Sequence, residues 1–499
     1  MNKQRITAIL LCLITCAACI LSACGRDEEL SLDTGSSAAP ESSTDTEVGD
    51  YFSKYPFTYN KKNFHLCITS NEAQTTYFCE DIVPGLYSTT DEALNDAVIK
   101  RNELINQKTG VEITADAVKN VSEALRLDVK SGSSNYDAAI PFMREATSLA
   151  QESAFYDLYE FKDILHFDSP WWDKSAEESL SIGNRLYFTT GDISIMQKIV
   201  SIAVTVNKNM MKTYFDGVDI YQFVRDKQWT FDKMIEMCEA VTADTDGTPG
   251  MSENDTWGVS AAYADSSAFF LGSGYSYIEK DNNDIPYLAF GSEATVSLAQ
   301  KILEKLQLKD DWVFHCDPLP SNTRWVTSLA IFGENRALFR NSAFSAIKKL
   351  RAYPECDDFG IIPLPLMTET QTDYATYCNC KFAYCVVIPT SLSREDAEFS
   401  AYMLDAMAWG GRKFIVPAYY DVILKYRDFK DQDSEDMLDN YIFNNIVYDL
   451  GNVYDFGGVQ SMFDELMRNQ STNVASTLEG KKSAIEAAIE ECLMAYGVK

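Results

Sequence analysis

Between Phe64 and Pro141 the chain switches four times between a two-residue and a 3.6-residue apolar period, and this switching limits the fold to one class. Phe64–Thr69 reads as a strand, and Pro84-Gly85 marks a turn. From Asp91 to Gln107, Leu94, Val98 and Ile105 form a helical stripe that Gly110 stops. Val111–Thr114 alternates as a strand, Val121–Lys130 is helical up to Gly132, and Tyr136–Pro141 is a short buried strand. Strand, helix, strand, helix, strand requires a parallel sheet with covering helices.

The same grammar resumes further on. Ile199–Val206 is an apolar strand, and Thr230 caps a helix whose Phe231, Met234, Ile235, Cys238 and Val241 share one face. Gly272-Ser273-Gly274 and Asp281–Pro286 are turns, and Val296, Ile302, Leu303 and Leu306 stripe another helix. Phe359–Pro363 and Phe382–Ile388 read as strands, Ala397–Met407 as a helix, and Ile485, Ile489 and Leu493 mark a last helix ending at Gly497. No internal repeat is present. Two α/β lobes is the natural architecture.

The amino terminus sets location. Lys3 and Arg5 precede an apolar run from Ile6 to Ile20 that is too short for a preferred transmembrane helix, so it reads as a secretory leader. Leu21-Ser22-Ala23-Cys24 resembles a bacterial lipobox, which implies a leader over 1–23 and acyl chains on Cys24; an ordinary leader with a chance cysteine is the plainer alternative. Residues 24–50 are Ser, Thr, Asp, Glu, Gly and Ala with few apolar groups, the composition of a solvated tether. Removing 23 residues from 499 leaves 476, enough for two or three cores. The formal charge is −31, and losing Lys3 and Arg5 takes it to −33, which repels phosphate backbones and argues against nucleic acid. Of 13 cysteines, Cys12, Cys16 and Cys19 fall in the leader, and nine remain besides Cys24. An odd number at irregular spacing is no disulfide framework, and Cys378, Cys380 and Cys385 read as small buried hydrophobes rather than soft-metal ligands.

A longer resemblance now emerges. Asn106–Ile113, Ser134–Ala139, Pro170-Trp171-Trp172, Leu186–Asp192, Val206–Met210, Gln228–Lys233, Phe332–Phe339, Phe359–Pro365, Pro417–Asp421 and Tyr448–Gly451 occur in the order seen in extracellular solute-binding proteins of family 1. These are the sugar-binding lipoproteins of ABC importers, and the landmarks span most of the chain after the leader. The resemblance implies an α/β, two-lobed periplasmic-binding-protein-like fold (type II) with a three-crossing hinge near Val200, Lys381 and Lys425. Lobe 1 would comprise 51–200 and 385–425, and lobe 2 would comprise 201–384 and 426–499. It also implies a monomer on the extracytoplasmic face of the cell membrane, serving ABC permease subunits, with a small polar ligand between the lobes and no cofactor, metal or catalysis.

A sugar presents paired hydroxyls and flat C–H faces, so its site needs carboxylates, amides or guanidinium groups beside aromatic rings. Such groups belong on loops at the carboxyl ends of strands. That rule selects Asn71 and Glu72, Phe142 and Arg144, and Asp192. Asn341 and Ser342 follow Leu338-Phe339-Arg340, where the resemblance brings a loop to the ligand. Tyr275, between Gly274 and Ser276, and Trp409 with Arg412, around Gly410-Gly411, are further stacking and pairing candidates. Each has a bland alternative, a solvated loop residue or, for Trp409, packing at the hinge. Trp171 and Trp172 read as structural wedges and Trp229 as core. Asp244-Thr245-Asp246-Gly247 with Glu253 and Asp255 lacks EF-hand spacing and reads as a solvated acidic turn, and three dispersed histidines do not make a zinc site. The rival functions are a surface glycoside hydrolase, against which no catalytic motif stands out, and a binder of peptides or another polar solute.

Overall fold

The computed structural model describes residues 50–73, 76–77, 79–85, 92–307, 312–356, 358–425 and 432–498; the leader, Cys24 and the polar stretch before Asp50 lie outside the described residues. The first sheet has the order β2-β1-β3, all parallel, from β1 (Asn63–Thr69), β2 (Glu112–Val118) and β3 (Ala138–Ile140). Its crossover helices are α1 (Glu92–Thr109) and α2 (Val121–Ser131), with α3 (Met143–Gln151) following β3. The stripe Leu94, Val98 and Ile105 is buried as its spacing requires, each side chain contributing about 1.5–3 kcal/mol relative to exposure. Asn120 caps α2 by accepting from Glu123 N (2.9 Å), and Gly132 ends it in the left-handed region.

The second sheet has the order β10-β4-β9-β5-β8. Its members are β4 (Ile202–Asn207), β5 (Trp257–Ala261), β8 (Val313–His315), β9 (Ala337–Ala343) and β10 (Phe359–Ile362); β6 (Ile278–Lys280) and β7 (Pro286–Leu288) form a separate hairpin. β4 runs antiparallel to β9 and β10, whereas β5 is parallel to β9 and β8. The strand expected from Ile199 starts at Ile202, because Met196–Ile199 forms a helical turn. The helices are α4 (Phe231–Val241), α5 (Asp265–Gly272), α6 (Glu293–Leu306) and α7 (Arg324–Gly333). Thr230 caps α4 by accepting from Lys233 N (3.2 Å), and Trp229 is wholly buried with its Nε1–H donating to Pro363 O (3.0 Å).

The chain then returns to the first sheet. Residues 382–388 were expected as a strand, but they make single bridges to alternating neighbours: Tyr384 to Phe142, Val386 to Thr189 and Val387 to Ala139. No one neighbour runs alongside for long enough to form a ladder. Two of the expected crossings lie side by side, with Ser201 bridging Cys378 and Asn379 N–H donating to Val200 O (3.4 Å). The third, after Lys425, falls at 426–431, outside the described residues. The short strand β11 (Thr376–Tyr377) precedes the return, and α8 (Arg394–Gly410) passes through a π-helical segment, Gly411–Ile415, into α9 (Val416–Lys425). The carboxyl-terminal part contributes β12 (Ile446–Val447), parallel to β11, then α10 (Leu450–Tyr454), α11 (Ser461–Arg468) and α12 (Val474–Ala495). Among the described residues no helix is long and apolar enough to cross a membrane.

One carboxylate organises the core of the first lobe. Asp405, on α8, is fully buried. It accepts from Trp171 Nε1 and Trp172 Nε1 (2.8 Å each) and from Tyr51 Oη (2.9 Å), and it pairs with His166 Nδ1 (2.7 Å). The two tryptophans are therefore wedges with a polar anchor, and Tyr51 ties the start of the folded body to them. All nine described cysteines are buried.

Candidate functional site

The parallel strands β5, β8 and β9 bring the chain to the same sheet edge, and the loops that leave it interlock. Cys316 N–H donates to Ala261 O (3.1 Å), and Tyr263 N–H donates to Asp317 Oδ2 (2.7 Å). From the first lobe, the segment after β1 meets this edge through Tyr77. Tyr77 Oη lies 3.3 Å from Ser345 Oγ, just past β9, and Tyr77 stacks on Phe382 with centroids 4.7 Å apart. Phe382 in turn meets Phe142 edge-on (5.9 Å), and Phe142 stacks on Tyr384 (4.9 Å, 13° between planes). Tyr384 Oη donates to Tyr77 O (3.0 Å), closing the cluster. Four rings thus form one cluster, which Tyr77 connects to the second lobe just past β9.

Polar atoms at this junction are left without partners among the described residues. They include Ser70 Oγ just past β1, Arg144 Nε and Arg340 Nε. Buried polar atoms are nearly always paired, and each one left open costs about 1–3 kcal/mol, so these atoms hold hydrogen-bonding capacity that the described residues do not use. Arg340 Nη1 donates to Ser342 Oγ. Burial lowers the Arg340 pKa, which the field of Asp265 partly offsets. Burial pushes the Asp265 carboxyl up to about 7, against the opposing bond from Ala262 N–H (2.8 Å) and the opposing charge of Arg340.

The residues singled out from sequence divide into two groups. Phe142 and Arg144 lie just past β3, Phe142 within the aromatic cluster, whereas Asn341 and Ser342, expected on a loop, are inside strand β9 because they pair there with Val204 and Ala203 of β4. Arg144 donates to Asn452 O and Gln460 Oε1 (3.0 Å), tying α3 to the carboxyl-terminal helices. Asn71 and Glu72 sit in an exposed turn just outside the buried Thr69 and Ser70. Asp192, Arg412 and Trp409 lie elsewhere, around the π-helical segment. Asp192 pairs with Lys198 Nζ (2.8 Å) and Arg412 Nη1 (3.3 Å), so its carboxylate is already committed. Trp409 is 3% exposed, with its ring 5.5 Å from Tyr51 and 5.6 Å from Phe52. The expected stacking role gives way to packing, because α8 turns that face toward the amino-terminal turn. Tyr275 is half-buried and tilted against Phe270 (6.4 Å).

Sequence reasoning passed over Tyr77, Phe382, Tyr384, Asp265 and Arg340. Arg340 had a signal, a cation set in the apolar strand Ala337–Phe339, and Asp265 follows a strand end. The three rings had none, since their meeting depends on two loops far apart in sequence. The acidic turn brings carboxylate oxygens of Asp244, Asp246 and Asp255 within 4.8 Å of one another. Asp255 there accepts from the backbone N–H groups of Thr245 (2.7 Å), Asp246 (3.0 Å) and Ser252 (2.7 Å), as a turn organiser does. The three histidines have separate partners: Thr114, Asp405 and the Leu306 carbonyl.

No family model matches the chain, and no curated protein matches it. Solved structures do. A cyclo/maltodextrin-binding protein complexed with maltotetraose matches with a TM-score of 0.52 at 14% identity, over 87% of this chain and 97% of that one. UspC of M. tuberculosis matches with a TM-score of 0.54 at 16% identity, over 85% of this chain and all of the other (100%). A sugar transporter from Rhizobium etli, solved in an open conformation, matches with a TM-score of 0.52 at 13% identity, over 88% and 100%. These likenesses and the two helix-covered sheets make the chain a two-lobed α/β fold of the periplasmic-binding-protein kind.

Proposed function

We propose that this chain is a lipid-anchored, extracytoplasmic solute-binding protein that captures a carbohydrate between its lobes and delivers it unaltered to an ABC importer. One observation carries the reading: the junction of the lobes sets unpartnered buried polar atoms, Ser70 Oγ and Arg340 Nε among them, near a cluster of aromatic rings. Sugars offer the complementary surface, with hydroxyls for the first and C–H faces for the second. The fold is shared with a protein solved in complex with maltotetraose, and the Leu21–Cys24 motif supports the anchor.

A glycoside hydrolase is the second reading, favoured by Asp265, a buried carboxyl held up to about 7 near Asp317, as a general acid would be. One experiment separates the two. The purified protein is screened by thermal shift against mono- and oligosaccharides, amino acids and peptides, and bound ligand is recovered and chromatographed. Stabilisation by saccharides recovered intact supports capture, released product supports hydrolysis, and stabilisation by peptides alone refutes the carbohydrate reading. Loss of radiolabelled palmitate incorporation in Cys24→Ala tests the anchor.

A further inference from the structure

Six of the seven tryptophans, Trp171, Trp172, Trp229, Trp257, Trp312 and Trp409, are at most 7% exposed, while Trp325 is 51% exposed. Leaving one large ring in water on a chain that buries all the others calls for a reason. The topology supplies its position. The chain leaves β8 at the edge shared with β5 and β9, turns through 316–323, and starts α7 at Arg324. Ser328, one turn further on, bonds Ser260 near the carboxyl end of β5 (Oγ to Oγ, 2.9 Å), and Arg336, past the end of α7, accepts from Trp257 N–H at the start of β5 (2.8 Å), so α7 runs back over the sheet from that edge. Trp325, in the first turn, is therefore held at the edge that faces the first lobe. Arg324 agrees with this placement. Its Nη1 lies 3.8 Å from Asp317, in the loop bonded to Tyr263, and it acts on Asp464 together with Lys381 of the crossing segment.

We propose that Trp325 is a stacking platform at the rim of the cleft, where it receives a sugar ring beyond the one held at the Arg340 and Asn341 floor, so that the ligand is an oligosaccharide. This rests on the carbohydrate reading above. The Arg324 guanidinium lies over the Trp325 ring (5.3 Å) with its Nε unpartnered among the described residues, which sets a hydrogen-bond donor beside the aromatic face. A floor exposed by no more than 7% at Arg340, Asn341 and Ser342 and a rim ring exposed by half differ in depth, and a chain of sugar units spans such a difference. A protein-docking patch would need neighbouring apolar area. Among the described residues Val326 alone adjoins Trp325, and the other large exposed apolar side chains, Leu127, Tyr214, Val218, Tyr287 and Met494, belong to other elements.

Tryptophan fluorescence tests this directly, because Trp325 dominates the emission open to acrylamide. Gluco-, manno- and xylo-oligosaccharides of one to six units are titrated into the purified protein with and without quencher. A saccharide of two or more units that binds is expected to lower acrylamide quenching at least twofold. Trp325→Ala should weaken its binding tenfold or more while changing the affinity for its monosaccharide less than twofold, and Trp325→Phe should retain most of the affinity. Unchanged quenching on binding, or wild-type oligosaccharide affinity in Trp325→Ala, overturns the proposal. Wild-type sugar binding combined with lost uptake in Trp325→Ala also overturns it, assigning the ring to a membrane partner. Failure of every saccharide to bind the wild-type protein instead refutes the carbohydrate reading itself.

Discussion

Asp265→Asn provides a quantitative test of the electrostatics at the cleft floor. The wild-type carboxyl is buried at the start of α5 and titrates near 7 instead of its ordinary 3.8, chiefly because burial penalises the charged form. In the unfolded chain the same group ionises at its ordinary value. Between those two values the folded state holds a proton that the unfolded state has released, so stability falls as pH rises through the window. At about 1.4 kcal/mol per pH unit, the interval from 3.8 to about 7 is worth about 4 kcal/mol. Asparagine keeps an oxygen to accept from Ala262 N–H and carries no charge. The variant should match wild type to within about 1 kcal/mol near pH 4 and exceed it by about 4 kcal/mol at pH 8. Urea unfolding at the two pH values measures both differences. An equal difference at both values, or a variant less stable than wild type at pH 8, refutes the argument that burial controls this carboxyl. If the same variant also loses saccharide affinity, Asp265 contacts the ligand as well.

Other expectations follow from the first lobe. Asp405→Ala strands the Trp171 and Trp172 indole N–H groups and the Tyr51 hydroxyl, at about 1–3 kcal/mol each, and should lower the calorimetric midpoint by several degrees; a change below 1 degree would contradict the hub. Trp409→Ala should cost about 3–5 kcal/mol of stability and leave the ligand affinity of the folded protein unchanged, as compared by unfolding and titration. Gly411→Ala would place a Cβ 1.8 Å from the Asp192 carbonyl oxygen, which the backbone can relieve only by moving α8 away; the expected result is poor soluble yield, and wild-type stability would refute the close approach. Arg144→Met should loosen the tie between α3 and Asn452, expanding the ligand-free protein in solution scattering; an unchanged radius of gyration would assign no such role to the guanidinium.

The sequence alone determined the class of fold, since apolar periodicity and helix caps are local properties. The stripe of α1, the Thr230 cap and the parallel β1–β3 unit all follow from local spacing and appear where that spacing puts them. It also brought Phe142 and Arg144 to notice through the rule of strand ends, and Asn341 and Ser342 through the resemblance, although these two belong to a strand. Local pattern could not decide which rings are buried and which face the cleft. Trp409 and Trp325 both lie on helices beside an arginine or a glycine pair, yet one is closed in by Tyr51 and Phe52 and the other stands in water. That difference arises from contacts between segments hundreds of residues apart. The same is true of Tyr77, Phe382 and Ser345, whose meeting exists only once both lobes have formed and lie against each other.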